Sequence, residues 1–314
     1  MGNVFRNLPC RKGKKVKRKK YIIYFAVIIW SLIFPQAIFA DNLHNGEGIR
    51  IGIIDTGIMG NYRIEFQEKI VQGKNYVFPE EGLEDKIGHG TRVASVILGV
   101  KNDKNILIGT APKATIVPLI YQSRYPSGVT KNGGLELLIK AMRDAIDVYH
   151  CKVLCISSGT TKDDDNLRET VEYAEEKGVI IVAAVGNDNE RAAEKIYYPA
   201  AYDTVIGVGA IDGNDEIAEF SQRNGVFCVT QGKNIKALSL DENVRCFSGT
   251  SYANASAAGI IASLLSEAPS STPKDIRNTI SISAEDLGDK GYDSVYGWGK
   301  INSASALKFL KNIN

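Results

Sequence analysis

Short, dense apolar runs alternate along this chain with stretches in which apolar residues recur every three or four positions. Ile49–Asp55 (IRIGIID), Ala114–Ile120 (ATIVPLI), Val153–Ser157 and Val179–Val185 (VIIVAAV) read as buried strands, and Val205–Val208 as a shorter one. His89–Val100 and Leu135–Tyr149 carry apolar residues at helical spacing, and Asn166–Lys177 reads as an amphipathic helix ended by Gly178. Asn254–Ala262 (NASAAGIIA) is small and apolar all round, which predicts a buried helix in close contact with its neighbours. Alternation of this kind predicts an α/β fold of three layers, a mainly parallel sheet with helices on both faces. No repeat of fixed period appears, which excludes solenoids and propellers, and no linker interrupts residues 41–314, so they form one domain. In such sheets ligands gather beyond the carboxyl ends of the strands, which directs attention to Asp55, to Ser157–Gly159 and to Asn187.

Charge changes the picture at one end only. Residues 1–40 hold nine Lys or Arg, eight of them between Arg11 and Lys20, and no acid. The remainder holds 29 basic and 36 acidic side chains, so a basic nucleic-acid footprint is missing from the folded body. The basic tract runs into the uncharged segment Tyr21–Ala40, the layout of a secretory signal with cleavage expected after Ala40. Twenty apolar residues also suffice to span a bilayer uncleaved. In both cases the positive-inside bias leaves residues 41–314 outside the cytoplasm, secreted or anchored through Tyr21–Ala40 alone. Of the five cysteines, Cys10 falls in this segment. Cys151 and Cys155 lie about 13 Å apart along an extended chain, too far to bridge. Buried thiols are expected for the rest, with a Cys228–Cys246 disulfide open.

Three histidines make the search for a general base short. His44 adjoins the expected cleavage site, and His150 closes a helix, where a cation meets the dipole favourably. His89 lies between Gly88 and Gly90, which let backbone or substrate approach the ring. Ser251 opens the small-residue helix, where it serves equally as an N-cap or as a nucleophile beside free helical N–H groups. Asp55 and Asn187 have plain alternatives as turn residues. Singly, each is ambiguous.

Together they are not. IGIIDTGI at Ile51–Ile58, GHGTRVA at Gly88–Ala94, AAVGN at Ala183–Asn187 and SGTSYA at Ser248–Ala253 occur in that order. This resembles the subtilisin-like serine peptidases over about residues 46–308, including an ending YGWGKIN at Tyr296–Asn302. The order Asp…His…Ser is itself a known subtilisin signature. The resemblance implies a subtilisin-like fold and an exported serine endopeptidase with an Asp55–His89–Ser251 triad and Asn187 in the oxyanion hole. It also implies a substrate strand at Ser157, Ser158 and Gly159, an opposing one around Ser127 and Gly128, and Tyr197 at the floor of the pocket for the residue before the scissile bond. A phenol there fills the pocket and favours Ala, Gly or Ser. No cofactor is expected for catalysis. Structural calcium is weakly supported, because the loop Lys101–Asn105 carries two lysines. The expected partner is a polypeptide substrate, and the expected state a monomer.

Some positions depart from the family pattern. Ala255 stands where proline is usual, a change expected to relax the Ser251 helix, and Thr160 replaces a second glycine. No prodomain-length stretch is expected between Ala40 and the first strand. Two alternatives follow: a dedicated leader-peptide maturation peptidase, and a non-catalytic binding protein on the same fold. A dinucleotide site at Gly207–Gly213 fails, since no GxGxxG there follows a strand and opens a helix.

Overall fold

The computed structural model describes residues 45–101 and 105–313. The expected signal segment, its cleavage site, Cys10 and His44 lie outside them. Strand β1 (Arg50–Asp55) is followed by α1 (Gly60–Glu65), β2 (Lys74–Asn75) and α2 (His89–Leu98). An antiparallel pair, β3 (Gly99–Lys101) and β4 (Ile106–Ile108), leads to β5 (Thr115–Ile120), and a hairpin, β6 (Gln122–Arg124) and β7 (Thr130–Asn132), follows. The chain continues through α3 (Gly134–Asp147), β8 (Val153–Ile156), α4 (Asp165–Glu176), β9 (Ile180–Ala184), β10 (Ile206–Ile211) and β11 (Cys228–Gln231). A last hairpin, β12 (Ile235–Leu238) and β13 (Val244–Phe247), precedes α5 (Thr250–Glu267), α6 (Pro273–Ser283) and α7 (Ser303–Ile313).

Seven strands form one sheet in the order β11-β10-β9-β8-β1-β5-β2, and every adjacent pair is parallel. Both faces are buried, which is why the strands read as continuous apolar runs. Side chains alternate between two cores: Ile51, Ile53, Val153, Cys155, Ile180 and Val182 face α2 and α5. Ile54, Leu154, Ile156, Ile181 and Ala183 face α3 and α4. The architecture is the expected three-layer α/β fold.

Local rules account for the helices. Asp164 caps α4 by accepting from the N–H groups of Asn166 and Leu167, and a Thr272–Asp275 capping box with Pro273 opens α6. Helix α5 is buried around nearly its whole circumference, as its small apolar composition predicts. One expectation is corrected: Cys228 is buried in β11, Cys246 is exposed on β13, and both are free thiols. Cys151 and Cys155 are free and buried, and burial pushes the Cys151 thiol up to about 12.

The chain leaves β1, builds β5 on one side of it, and crosses to β8 on the other. That crossing makes the carboxyl ends of β1 and β8 the switch point of the sheet, where open parallel sheets bind ligands. Asp55 ends β1, and Ser157 follows β8.

Candidate active site

Asp55 is buried, 4% exposed, and stands two residues after Ile53 and four after Ile51, so its side chain points to the same α2/α5 face. His89 is the first residue of α2, after Gly88 at φ +91°. The two meet because α2 approaches the turn after β1 very closely: a Cβ on Gly90 would sit 2.3 Å from the carbonyl oxygen of Gly57. His89 Nδ1 lies 2.7 and 2.9 Å from the two carboxylate oxygens of Asp55. A carboxylate only accepts, so Nδ1 carries the proton and Nε2 is left as the base. Burial pulls the imidazole pKa down, but the charge and hydrogen bond of Asp55 outweigh it, and the net is raised above the ordinary 6.5. Arg92 opposes that rise and Asp85 adds to it.

Asp85 ties the two segments together. Its Oδ1 accepts from the Thr56 hydroxyl at 2.8 Å and from the N–H groups of Ile87 at 3.0 Å and Gly88 at 2.6 Å. Its Oδ2 accepts from the N–H of Thr91 at 2.9 Å and its hydroxyl at 2.8 Å. Thr56 in turn accepts from the N–H of Gly90 at 2.8 Å, and its own N–H donates to Asp55 Oδ1 at 2.8 Å. A buried carboxylate with five donors is well solvated by protein, and it fixes both neighbours of the Asp55–His89 pair. The sequence reading missed it because a lone acid four residues before His89 looks like an ordinary turn residue.

Ser251 is the second residue of α5 and is buried, 6% exposed. The helix is capped by Gly249, so the N-cap alternative for Ser251 falls. Its N–H is among the first four of the helix, which have no acceptor within it. The next side chain, Tyr252, has its ring centroid 5.9 Å from that of His89, which brings the start of α5 beside the imidazole. Asn187, three residues beyond β9, accepts through Oδ1 from the N–H of Thr250 at 2.8 Å and its hydroxyl at 3.0 Å. With Oδ1 so engaged, the amide NH₂ faces the turn before Ser251, 3.8 Å from where a Cβ on Gly249 would lie. Helix α5 runs unbroken through the buried Ala255.

Beyond β8, the N–H and C=O groups of Ser158 and Gly159 bond to no other described residue. Thr160 exchanges both backbone hydrogen bonds with Tyr198, at 2.9 and 2.8 Å, and a Cβ on Gly159 would fall 2.4 Å from the Tyr198 carbonyl oxygen. That pairing carries Tyr197 to the same place. Its ring packs on Gly186, 2.6 Å from where a Cβ would be, and its hydroxyl donates to Asp188 at 2.5 Å. Burial, with the hydrogen bond and charge of Asp188, pushes the Tyr197 phenol up to about 12. Ser127 and Gly128 stand elsewhere than expected in form. They are exposed in the turn between β6 and β7, with the Gly128 N–H donating to Tyr125, and are not an extended strand.

An Asp–His pair thus lies at the end of the first strand, a serine stands on a buried helix start, and an amide is held by the residue before that serine. Residues 46–299 match the subtilase family. The chain belongs to that family. It is 32% identical to subtilisin DY of Bacillus licheniformis over 84% of this chain and 93% of that protein. It is 30% identical to thermitase of Thermoactinomyces vulgaris over 87% of this chain and 94% of that protein. Among solved structures, MycP1 with its N-terminal propeptide removed superposes with a TM-score of 0.71 and 26% identity, covering 84% of this chain and 91% of that one. This subtilase is a serine endopeptidase, and polypeptides are its substrates.

Among the described residues, no group of three His, Cys, Asp or Glu side chains could hold a metal ion. Of the loop Lys101–Asn105, residues 102–104 lie outside the described residues. Lys101 donates its N–H to Glu65 at 2.6 Å, and the Asn105 amide donates to the Glu242 carbonyl at 3.2 Å. No described helix is long and apolar enough to cross a membrane.

Proposed function

We propose that Asp55, His89 and Ser251 form the catalytic triad of this subtilase and that the chain works outside the cytoplasm. A serine hydroxyl is a weak nucleophile at its own pKa. His89 Nε2 takes the proton of Ser251 as its oxygen attacks the peptide carbonyl, while Asp55 holds the tautomer and stabilises the imidazolium. In this reading the oxyanion is met by the Asn187 amide NH₂ and the Ser251 N–H, donors that need no rearrangement to reach it. His89 then protonates the leaving amine, and water repeats the sequence on the acyl-enzyme. The observation that carries this reading is the 2.7 Å contact of His89 Nδ1 with a buried carboxylate, together with an amide whose oxygen accepts from the residue preceding the serine.

The unpaired backbone of Ser158 and Gly159 suits antiparallel addition of an extended peptide. Tyr197 packed on Gly186 supports a shallow pocket that takes Ala, Gly or Ser before the scissile bond. A narrow pocket also favours the second reading, a maturation peptidase dedicated to one leader peptide. A peptide library cleaved mainly after Phe or Leu would sink the shallow pocket, and efficient turnover of casein would sink the dedicated enzyme. Export rests on the basic tract and Tyr21–Ala40, and N-terminal sequencing of the protein from culture medium and membrane separates cleaved from anchored forms.

The deciding experiment is labelling of the protein with a fluorophosphonate probe beside Ser251→Ala and His89→Ala. Labelling of the parent that both substitutions abolish is expected. A folded parent that takes no label overturns the triad and favours a binding role.

A further inference from the structure

Arg92 stands one turn after His89 on α2 and is half-buried. Its Nε–H donates to the phenol oxygen of Tyr252 on α5 at 3.0 Å, and its guanidinium lies 4.7 Å from the ring centroid of Phe247 at the end of β13. Tyr252 is 5% exposed, with its ring 6.0 Å from that of Phe247 and 5.9 Å from that of His89. Phe247, Arg92, Tyr252 and His89 therefore form one run of contacts across three elements. A guanidinium can lie on an aromatic face and still direct one donor sideways, which a lysine ammonium cannot do.

The charges facing His89 are unequal in number. Asp55 from β1 and Asp85 from the turn before α2 both favour the imidazolium, and Tyr252 from α5 presents a neutral phenol. Arg92 is the one cation among these groups, and it disfavours a second positive charge. Two carboxylates without it would hold the proton on His89 to higher pH, and a protonated imidazole cannot accept one from serine.

Resting on the triad reading above, we propose that Arg92 is a positioning residue of this site. Through Tyr252 it holds an aromatic wall against His89, and its guanidinium sets a positive charge against the two carboxylates that face the ring.

The test is the pH profile of kcat/KM for Arg92→Gln, Arg92→Lys and Tyr252→Phe, with thermal unfolding to establish that each is folded. Arg92→Gln is expected to move the acid limb up by roughly half a unit and to lower kcat several-fold. Arg92→Lys keeps the charge, so its midpoint stays with the parent while kcat falls through the loosened ring. Tyr252→Phe loses the acceptor and is expected to lower kcat with a smaller movement of the midpoint. A merely structural arginine would lower stability in all three and leave the Arg92→Gln midpoint where Arg92→Lys has it, which overturns the proposal. The same titration read by NMR on His89 in a Ser251→Ala background needs no turnover, with the resonance assigned by its loss in His89→Ala. Absence of fluorophosphonate labelling ends the triad reading, whereas an unmoved His89 resonance in Arg92→Gln ends this one.

Discussion

The two faces of the sheet are built by different means. Under α3 and α4 the helices are amphipathic, with Leu138, Met142, Leu167 and Val171 turned inward and charged residues such as Glu172 exposed. Under α2 and α5 the helices are buried nearly throughout, Ala253, Ala257 and Ala258 lie in the core beneath the strands, and Gly259 lets α5 meet the loop before β5, where a Cβ would fall 2.0 Å from the Thr110 hydroxyl oxygen. Asp55, His89 and Ser251 all belong to this second face. An amphipathic helix needs only a stripe of contacts, so its other side tolerates change. A helix packed all round transmits any change in volume, and that rigidity suits a site that must be held to a fraction of an ångström.

The contrast is open to direct attack. Asn187→Ala is expected to lower kcat by roughly 10²–10³ with KM little changed, the size already known for such a donor in a subtilisin. Steady-state kinetics checks it, and an equal rise in KM would point to a binding role instead. Ile261→Ala, within the buried α5, is expected to cost about 2–5 kcal/mol in denaturant unfolding. Asp85→Asn keeps the shape but replaces an acceptor by a donor among five donors, and a fall in kcat of roughly tenfold or more is expected. Glu172→Ala on the exposed side of α4 is expected to stay within about 0.5 kcal/mol of the parent. Equal losses for Ile261→Ala and Glu172→Ala would erase the difference between the faces.

A pH measurement sharpens the same point. The pKa of His89 is raised, so its protonated form persists above the ordinary 6.5. Activity needs the neutral base, and kcat/KM is therefore expected to fall on the acid side with a midpoint above 6.5. Stability runs the other way: the raised pKa stabilises the folded protein at low pH, and that contribution fades as pH rises through the folded value. Removing Asp55 as Asp55→Asn should move the His89 titration downward, as NMR would read.

Much of this was legible in the sequence. Five of the seven strands of the central sheet were read to within a few residues, because both faces of a parallel sheet must be apolar, whereas β2 with two residues and β11 with four are too short and too polar to stand out. Four short motifs in family order marked the candidate residues. The hub at Asp85, the grip of Thr250 on Asn187 and the contact of Arg92 with Tyr252 were not legible, since each joins residues from separate elements. The same limit applied to Ser127 and Gly128, where a Ser-Gly pair fits an extended strand and a tight turn alike. It applied also to Cys228 and Cys246, whose pairing depends on a distance that spacing along the chain does not fix.

Periodicity and composition by themselves determined the fold class, because side-chain type and local spacing suffice to specify a strand or a helix, and the order of four motifs, through its resemblance to the subtilases, marked the candidate residues. Which groups face one another was decided by the tertiary structure. Hydrogen bonds and charges act over a few ångströms in space, and only the close approach of α2 to the turn after β1 brings His89 within 2.7 Å of Asp55.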